Sequence, residues 1–203
     1  MYLEVLVAVL IGYLLGSIPF ALVIGKVFYK TDIRNFGSKN LGGGNAGRVL
    51  GKKAGVAVMT LDILKVALAI GIASLLDYSE VTTIAAGLSA GIGHCFPLFA
   101  HFKGGKAVAT MYGFLFGMAI VTEYSILIFV LPLIVFLIVL YIGKIISVAS
   151  ICSAVFITIY MWVMGDSAWM TGALLSFTVL IVVRHRKNLV RLVHGEENKI
   201  SWM

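Results

Sequence analysis

The chain has 203 residues, 61% of them hydrophobic and only 12% charged, with a formal net charge of +7. That composition excludes a soluble globular domain and points to an integral membrane protein, because several apolar runs reach membrane-crossing length. The positive excess does not mark a nucleic-acid partner, since the basic residues are confined to the connections between apolar runs.

Runs between charges predict seven helices, at residues 5–25, 54–76, 81–100, 107–122, 124–143, 145–165 and 167–183. A span takes about 20 residues, so the fourth and seventh need flanking residues or a locally thinned bilayer. The N-terminus carries Glu4 and no basic region, which argues against a cleaved signal peptide. Cys95 and Cys152 lie inside apolar runs without C-x-x-C spacing and read as small buried residues. Connections after the odd-numbered runs hold every Lys and Arg except Lys65. Those after the even-numbered runs hold Asp77, Glu80, Glu123 and Asp166. The positive-inside rule then sets the N-terminus outside and the C-terminus in the cytosol, with all basic segments on one face. The expected fold is a single all-α membrane domain over residues 1–203, with about seven transmembrane helices. Its polar segments are 30–53, 101–110, 144–147 and 184–198.

In the first run, Gly12 and Gly16 are spaced for close helix packing and Pro19 predicts a kink. Residues 30–53 form the longest polar connection, too rich in glycine and asparagine for a regular helix throughout. Gly42, Gly44 and Gly47 match a dinucleotide fingerprint by spacing, but a βαβ unit has no place between two spans. What this connection does offer is neutral hydrogen bonding from Ser38, Asn40 and Asn45 and a phosphate fork from Arg48. Asp62 and Lys65, at i, i+3 in the second run, share a helix face and neutralise each other, as a structural pair or as a cavity wall. The third run contains Gly87, Ser89 and Gly91 in nucleophile-elbow spacing, yet mid-span small residues fit a packing face far better.

His94 and Pro97 then lead into Lys103-Gly104-Gly105-Lys106. Two glycines allow close backbone approach, the following helix aims its N-terminal dipole at the loop, and two lysines add full charges. That combination suits a bound phosphate, with Thr110 one turn into the helix. Lys144 and Ser147 stand at the start of the sixth run, where the hydroxyl can cap the helix or touch a phosphate. In the tail, Arg184, Asn188 and Arg191 fall at helical spacings, with His185 sharing the face of Asn188. A basic amphipathic surface helix explains the arginines but not His185, Asn188 and Glu197.

Taken together, residues 37–48, 93–110 and 184–197 resemble the three cytosolic motifs of the bacterial acyl-phosphate:glycerol-3-phosphate acyltransferases, the PlsY family. The resemblance extends to Leu61–Lys65 and Lys144–Ser147 and covers nearly the whole chain. Three departures stand out: Lys39 replaces a glycine, Gly44 a threonine, and Ala107 the glycine after the Gly-Gly-Lys run. Ala107 is compatible with a helix start, so the phosphate loop is expected to survive.

The resemblance implies acyl transfer from acyl phosphate to the 1-hydroxyl of sn-glycerol 3-phosphate, giving lysophosphatidic acid and phosphate, the first step of phospholipid synthesis. It implies no cofactor and no metal. The partners would be the two substrates and membrane lipid, with no nucleic acid. The enzyme would be a monomer of the bacterial inner membrane with its site on the cytosolic face. The implied catalytic set is His185, Asn188, Ser38 and Lys106. Substrate contacts are expected from Ser38, Asn40, Asn45, Arg48, Lys103, Gly104, Gly105, Lys106, Thr110, Lys144, Ser147 and Arg184, with Glu197, Asp62 and Lys65 structural. Whether His185 or a substrate phosphate takes the proton stays open. The alternatives are a diverged paralogue and a transporter for an anionic lipid or organophosphate.

Overall fold

The structure, a computed structural model, describes residues 2–165 and 167–200; Asp166, one of the acidic connection residues, lies outside that set. It is helical, with no strand among the described residues. The order is α1 (Tyr2–Gly16), α2 (Phe20–Tyr29), α3 (Gly43–Leu50), α4 (Lys52–Leu75), α5 (Glu80–Cys95), α6 (Val108–Val121), α7 (Leu127–Gly143), α8 (Ile146–Met164), α9 (Ala168–Arg184) and α10 (Arg186–Val193). Among the described residues, four stretches are long and apolar enough to cross a membrane: Tyr2–Tyr29, Lys52–Leu75, Glu80–Ala100 and Ile146–Met164. A fifth arises if α9 and α10, bent by 57°, count as one span, while α6 and α7 are shorter apolar helices.

The kink predicted at Pro19 falls at a short break between two helices that together form one apolar stretch. The chain leaves α1 after Gly16 and starts α2 at Phe20, without a proline N–H to continue the ladder. The small-residue face of α1 seats it on α5. A Cβ on Gly12 would lie 2.2 Å from the Ala86 carbonyl oxygen, and one on Gly16 would lie 2.0 Å from that of Ala90. Substitution at either position forces the two helices apart. Ser89, between them in the sequence pattern of a nucleophile, donates its hydroxyl proton to the Ala86 carbonyl at 2.8 Å and belongs to this packing.

The main core lies among α4, α5, α6, α8 and α9, where Ile70, Phe114, Met118, Ile157, Leu174 and Phe177 are fully buried. Phe114 and Phe177 pack with ring centroids 5.3 Å apart. A smaller cluster of Ala21, Ile33, Ala46, Val58 and Ala100 ties α2 and α3 to α4. α7 buries little beyond Ile128, Pro132 and Leu140 and exposes Ile134, Leu137, Ile138 and Ile142, as a lipid-facing helix should. It is anchored where Tyr112 and Ser153 both donate to the Pro132 carbonyl, at 3.1 and 2.9 Å. Of the two cysteines only Cys95 is buried. Cys152 is exposed on α8, contrary to the sequence expectation, because it falls on the outer stripe of that helix.

Candidate active site

The site gathers at the end of the bundle where α3, the loop after α5, and the junction of α9 with α10 meet. Its centre is Lys106. The half-buried ammonium donates to Asn188 Oδ1 at 2.6 Å. Asn188 in turn donates from Nδ2 to Glu197 Oε1, which also receives the Ser147 hydroxyl at 3.0 Å. Glu197 Oε2 takes Arg191 Nε at 2.8 Å, and its side chain is only 5% exposed. One carboxylate from the tail thus fixes three side chains, one from α8 and two from α10, and the amide orientation of Asn188 follows from its two partners. Burial works against the Glu197 charge, but hydrogen bonds from Asn188, Ser147 and Arg191 prevail and hold its carboxyl below the usual range.

Burial pushes the Lys106 ammonium down to about 8. Glu197 opposes that shift, and Arg191, Arg48 and Arg184 reinforce it. Arg48, on α3, is thus among the charges that act on Lys106. An ammonium has three N–H donors, and among the described residues Lys106 spends one on a protein acceptor. The remainder are available to an anion, which would also relieve the repulsion from the arginines.

The loop itself is clamped from two sides. Arg184 Nε donates to the Gly105 carbonyl at 2.9 Å and its Nη2 donates to the Gly104 carbonyl at 2.8 Å, while the guanidinium lies 5.4 Å from the Phe96 ring centroid. From below, the Gly105 N–H donates to the His94 carbonyl at 2.9 Å. The two glycines are needed for this contact. A Cβ on Gly104 would lie 2.0 Å from the His94 carbonyl oxygen, and one on Gly105 would lie 1.9 Å from His94 Nε2. One expectation is therefore corrected and another gains a second role. The Gly105 amide is not free for a phosphate, and Arg184, expected at substrate, spends two of its five N–H donors on the loop carbonyls.

Ala107 departs further from expectation. It is the residue before α6 and adopts φ +62°, the left-handed conformation, while fully buried. An alanine there costs roughly 1–2 kcal/mol that a glycine would not. The helix start is kept, but not without strain.

Asn45 is also reassigned. It is 2% exposed, accepts the Ser38 N–H at 2.8 Å, and donates from Nδ2 to the Ile33 and Phe36 carbonyls at 3.1 and 3.3 Å. With both donors spent it organises the loop that presents Ser38 and has no N–H left for substrate. Ser147 likewise serves Glu197. Ser38, Lys103 and Arg48 are exposed and Asn40 is half-buried. The Thr110 hydroxyl is buried without a partner, one turn into α6. Lys144 is left-handed, lies 4.9 Å from the Tyr141 ring centroid and accepts the Ile200 N–H on its carbonyl at 2.8 Å, tying down the tail.

His185 joins α9 to α10 and is 3% exposed. Its Nδ1 lies 2.8 Å from the Ile181 carbonyl oxygen, which only accepts, so Nδ1 carries the proton and Nε2 keeps its lone pair. Sequence reasoning missed the Asp32–Arg34 pair that shapes the first loop. Asp32 accepts Arg34 Nε at 2.9 Å and Nη2 at 2.6 Å, and these bonds hold its carboxyl down to about 2. An acid two residues before a base was the only signal for it.

A helical membrane bundle with a glycine-lysine loop and a cluster of cations at one end defines a membrane enzyme or carrier handling an anionic head group. The comparisons with known proteins narrow that class. The family model for glycerol-3-phosphate acyltransferase matches residues 6–195, and the chain belongs to that family. Relatives named glycerol-3-phosphate acyltransferase include one from Listeria monocytogenes serotype 4a, 44% identical over the full length of both chains. One from Bacillus subtilis strain 168 is 39% identical, covering 96% of this chain and 97% of the relative. Among solved structures, the glycerol 3-phosphate form of PlsY, an integral membrane glycerol 3-phosphate acyltransferase, aligns with TM-score 0.89 at 35% identity over 97% of this chain and 96% of that one. Its lysophosphatidic acid form aligns with TM-score 0.86 at 34% identity, over 97% and 95%.

Proposed function

We propose that this protein moves a fatty acyl group from acyl phosphate to the 1-hydroxyl of sn-glycerol 3-phosphate, releasing lysophosphatidic acid and phosphate. The observation that carries the reading is Lys106, a half-buried cation with donors to spare, set among Arg48, Arg184 and Arg191 at one end of an apolar bundle. Membership of the glycerol-3-phosphate acyltransferase family supports it, as does the likeness to a solved relative in forms named for glycerol 3-phosphate and lysophosphatidic acid.

In this reading Lys103, Lys106 and the Gly104 amide hold one substrate phosphate, and Ser38, Asn40 and Arg48 hold the other head. Holding both anions together offsets their repulsion and replaces a collision by a positioned encounter. The glycerol hydroxyl oxygen attacks the acyl carbonyl carbon, and the bond from that carbon to the phosphate oxygen breaks. The hydroxyl proton passes to His185 Nε2, which Ile181 leaves in the accepting tautomer. Phosphate leaves as an anion, so no covalent enzyme intermediate is required. Asn188 and Glu197 hold Lys106 in place. The enzyme works as a monomer with seven spans and without a cofactor, its basic end in the cytosol and its N-terminus outside, in the bacterial inner membrane. Single cysteines at Glu80 and Lys187 should then label from opposite sides.

The test is phosphate release by purified protein given palmitoyl phosphate, with and without glycerol 3-phosphate. Release that depends on the acceptor, and none from palmitoyl-CoA, is expected. Acceptor-independent release, or none, overturns the reading.

A further inference from the structure

Beneath the loop lies a polar cluster that the proposed reaction does not use. Asp62 and Lys65 on α4 and His94 on α5 are 1%, 3% and 6% exposed. Lys65 Nζ lies 2.7 Å from Asp62 Oδ1, 3.1 Å from His94 Nδ1 and 3.0 Å from the Ile18 carbonyl oxygen. Three donors meet three acceptors, so the ammonium is saturated. The Ile18 carbonyl belongs to the break between α1 and α2, where it also accepts the Phe20 N–H at 3.1 Å. An ammonium only donates, and its contact with Nδ1 is shorter than the 3.4 Å between Nδ1 and Asp62 Oδ1. His94 Nδ1 is therefore the acceptor, and the ring orientation is set by Lys65.

The fixed ring is what the loop rests on. Gly105 meets His94 at two places: its N–H donates to the His94 carbonyl, and it lies so close to the ring edge that a Cβ there would fall 1.9 Å from Nε2. Gly104 meets the same carbonyl. Gly104 also packs against Pro97 and the Cys95 carbonyl, whereas the three nearest atoms to a Cβ on Gly105 all belong to the His94 ring, and Arg184 holds the carbonyls of both glycines.

We propose that Asp62, Lys65 and His94 act together as positioning residues, setting the height of the Gly104–Gly105 turn and so the reach of Lys106 toward a substrate phosphate. This rests on the reading that Lys106 holds such a phosphate. None of the three touches substrate. The chain of contact runs from the α1–α2 break through Lys65 to the His94 ring and then to the loop.

Two variants test it. His94→Asn keeps an acceptor where Nδ1 stands but removes the ring edge under Gly105. The double variant Asp62→Asn with Lys65→Met removes both charges at once, so that neither is left buried alone. Acyl-transfer kinetics and calorimetric titration with glycerol 3-phosphate are measured on each folded protein, with thermal unfolding in detergent. The expected result is a rise on the order of tenfold in KM for one phosphate substrate, kcat changing far less, as a loss of ground-state holding requires. A fall in unfolding temperature with both KM values and the titrated Kd unchanged would reduce the cluster to a folding element and overturn the proposal. His94→Asn leaves every charge in place, so its result decides even if the double variant does not fold. A wild type that binds glycerol 3-phosphate but transfers no acyl group would count against the enzyme reading instead, and Kd would still report on the loop.

Discussion

Two lysines in this protein sit about as close to an acceptor side chain as hydrogen bonding allows, and they do opposite things. Lys65 is enclosed by Asp62, His94 and the Ile18 carbonyl, with each N–H assigned. Lys106 leans on one amide, Asn188, and that amide is itself held by Glu197. The first lysine is a strut, because a cation with no donor to spare has nothing to offer a ligand. The second is a receptor, because its position is fixed by one bond while its remaining donors stay open. Counting donors against acceptors separates the two where charge and burial alone do not.

The largest break in that contrast comes from Lys106→Met, which is expected to lower acyl transfer by ~10²–10³-fold, as for loss of a preorganised donor. Steady-state turnover on the folded variant checks it. Next comes His185→Gln, expected to lower turnover by at least ~10²-fold if Nε2 takes the hydroxyl proton. Activity above a tenth of the parent would pass that role to a substrate phosphate.

The pH profile sharpens the comparison further. Lys106 is pushed down to about 8, so the free enzyme loses this positive charge as pH rises through that value. The plot of kcat/KM should fall on the alkaline side near pH 8, whereas the kcat limb should lie higher, since a bound dianion favours the charged form. In Lys106→Arg the limb should disappear from the accessible range, because a guanidinium stays charged. An unchanged limb would assign it to another group.

The smallest effect belongs to the half-exposed pair in the first loop. Asp32→Asn should cost under ~1 kcal/mol at neutral pH, as an ion pair with both partners partly exposed contributes little. The folded-state pKa of Asp32 lies below its ordinary value, so this stability is present above pH 3.8 and is lost toward about 2. The parent and variant unfolding temperatures should converge over that interval.

Much of this architecture was legible before any coordinates. The interruption at Pro19, close helix packing through Gly12 and Gly16 (though not α5 as the partner), and the bland reading of Ser89 all follow from residue size and missing N–H groups, which are local properties. Lys106, Asn188 and Glu197 each stood out, since a lysine flanked by glycines and an amide and acid among arginines are hard to explain as packing, but their contact with one another was not foreseen. What escaped were side chains whose partners are backbone atoms in distant segments. Asn45 looks like a substrate ligand until the Ile33 and Phe36 carbonyls are found on its amide. Arg184 has a task its residue type does not announce, holding the carbonyls of Gly104 and Gly105. A carbonyl has the same chemistry at every position, so no pattern of residue types reveals which one a side chain will meet. The left-handed turn at Ala107 was hidden for a similar reason, because alanine is a good helix former and gives no sign that the preceding loop forces its φ positive.

The spacing of Asp62 and Lys65 also bears on how the protein is made. Both residues come from one turn of α4, three positions apart, so their ion pair can form within a single nascent segment. Each side chain alone would oppose entry of that segment into the bilayer by roughly 2.5–3.5 kcal/mol at its centre. Paired, they can enter the bilayer as a neutral unit before His94, which follows Lys65 by 29 residues, has itself entered it. The histidine then arrives with α5 to a lysine already in place, and the order of synthesis becomes the order in which the loop's support is assembled.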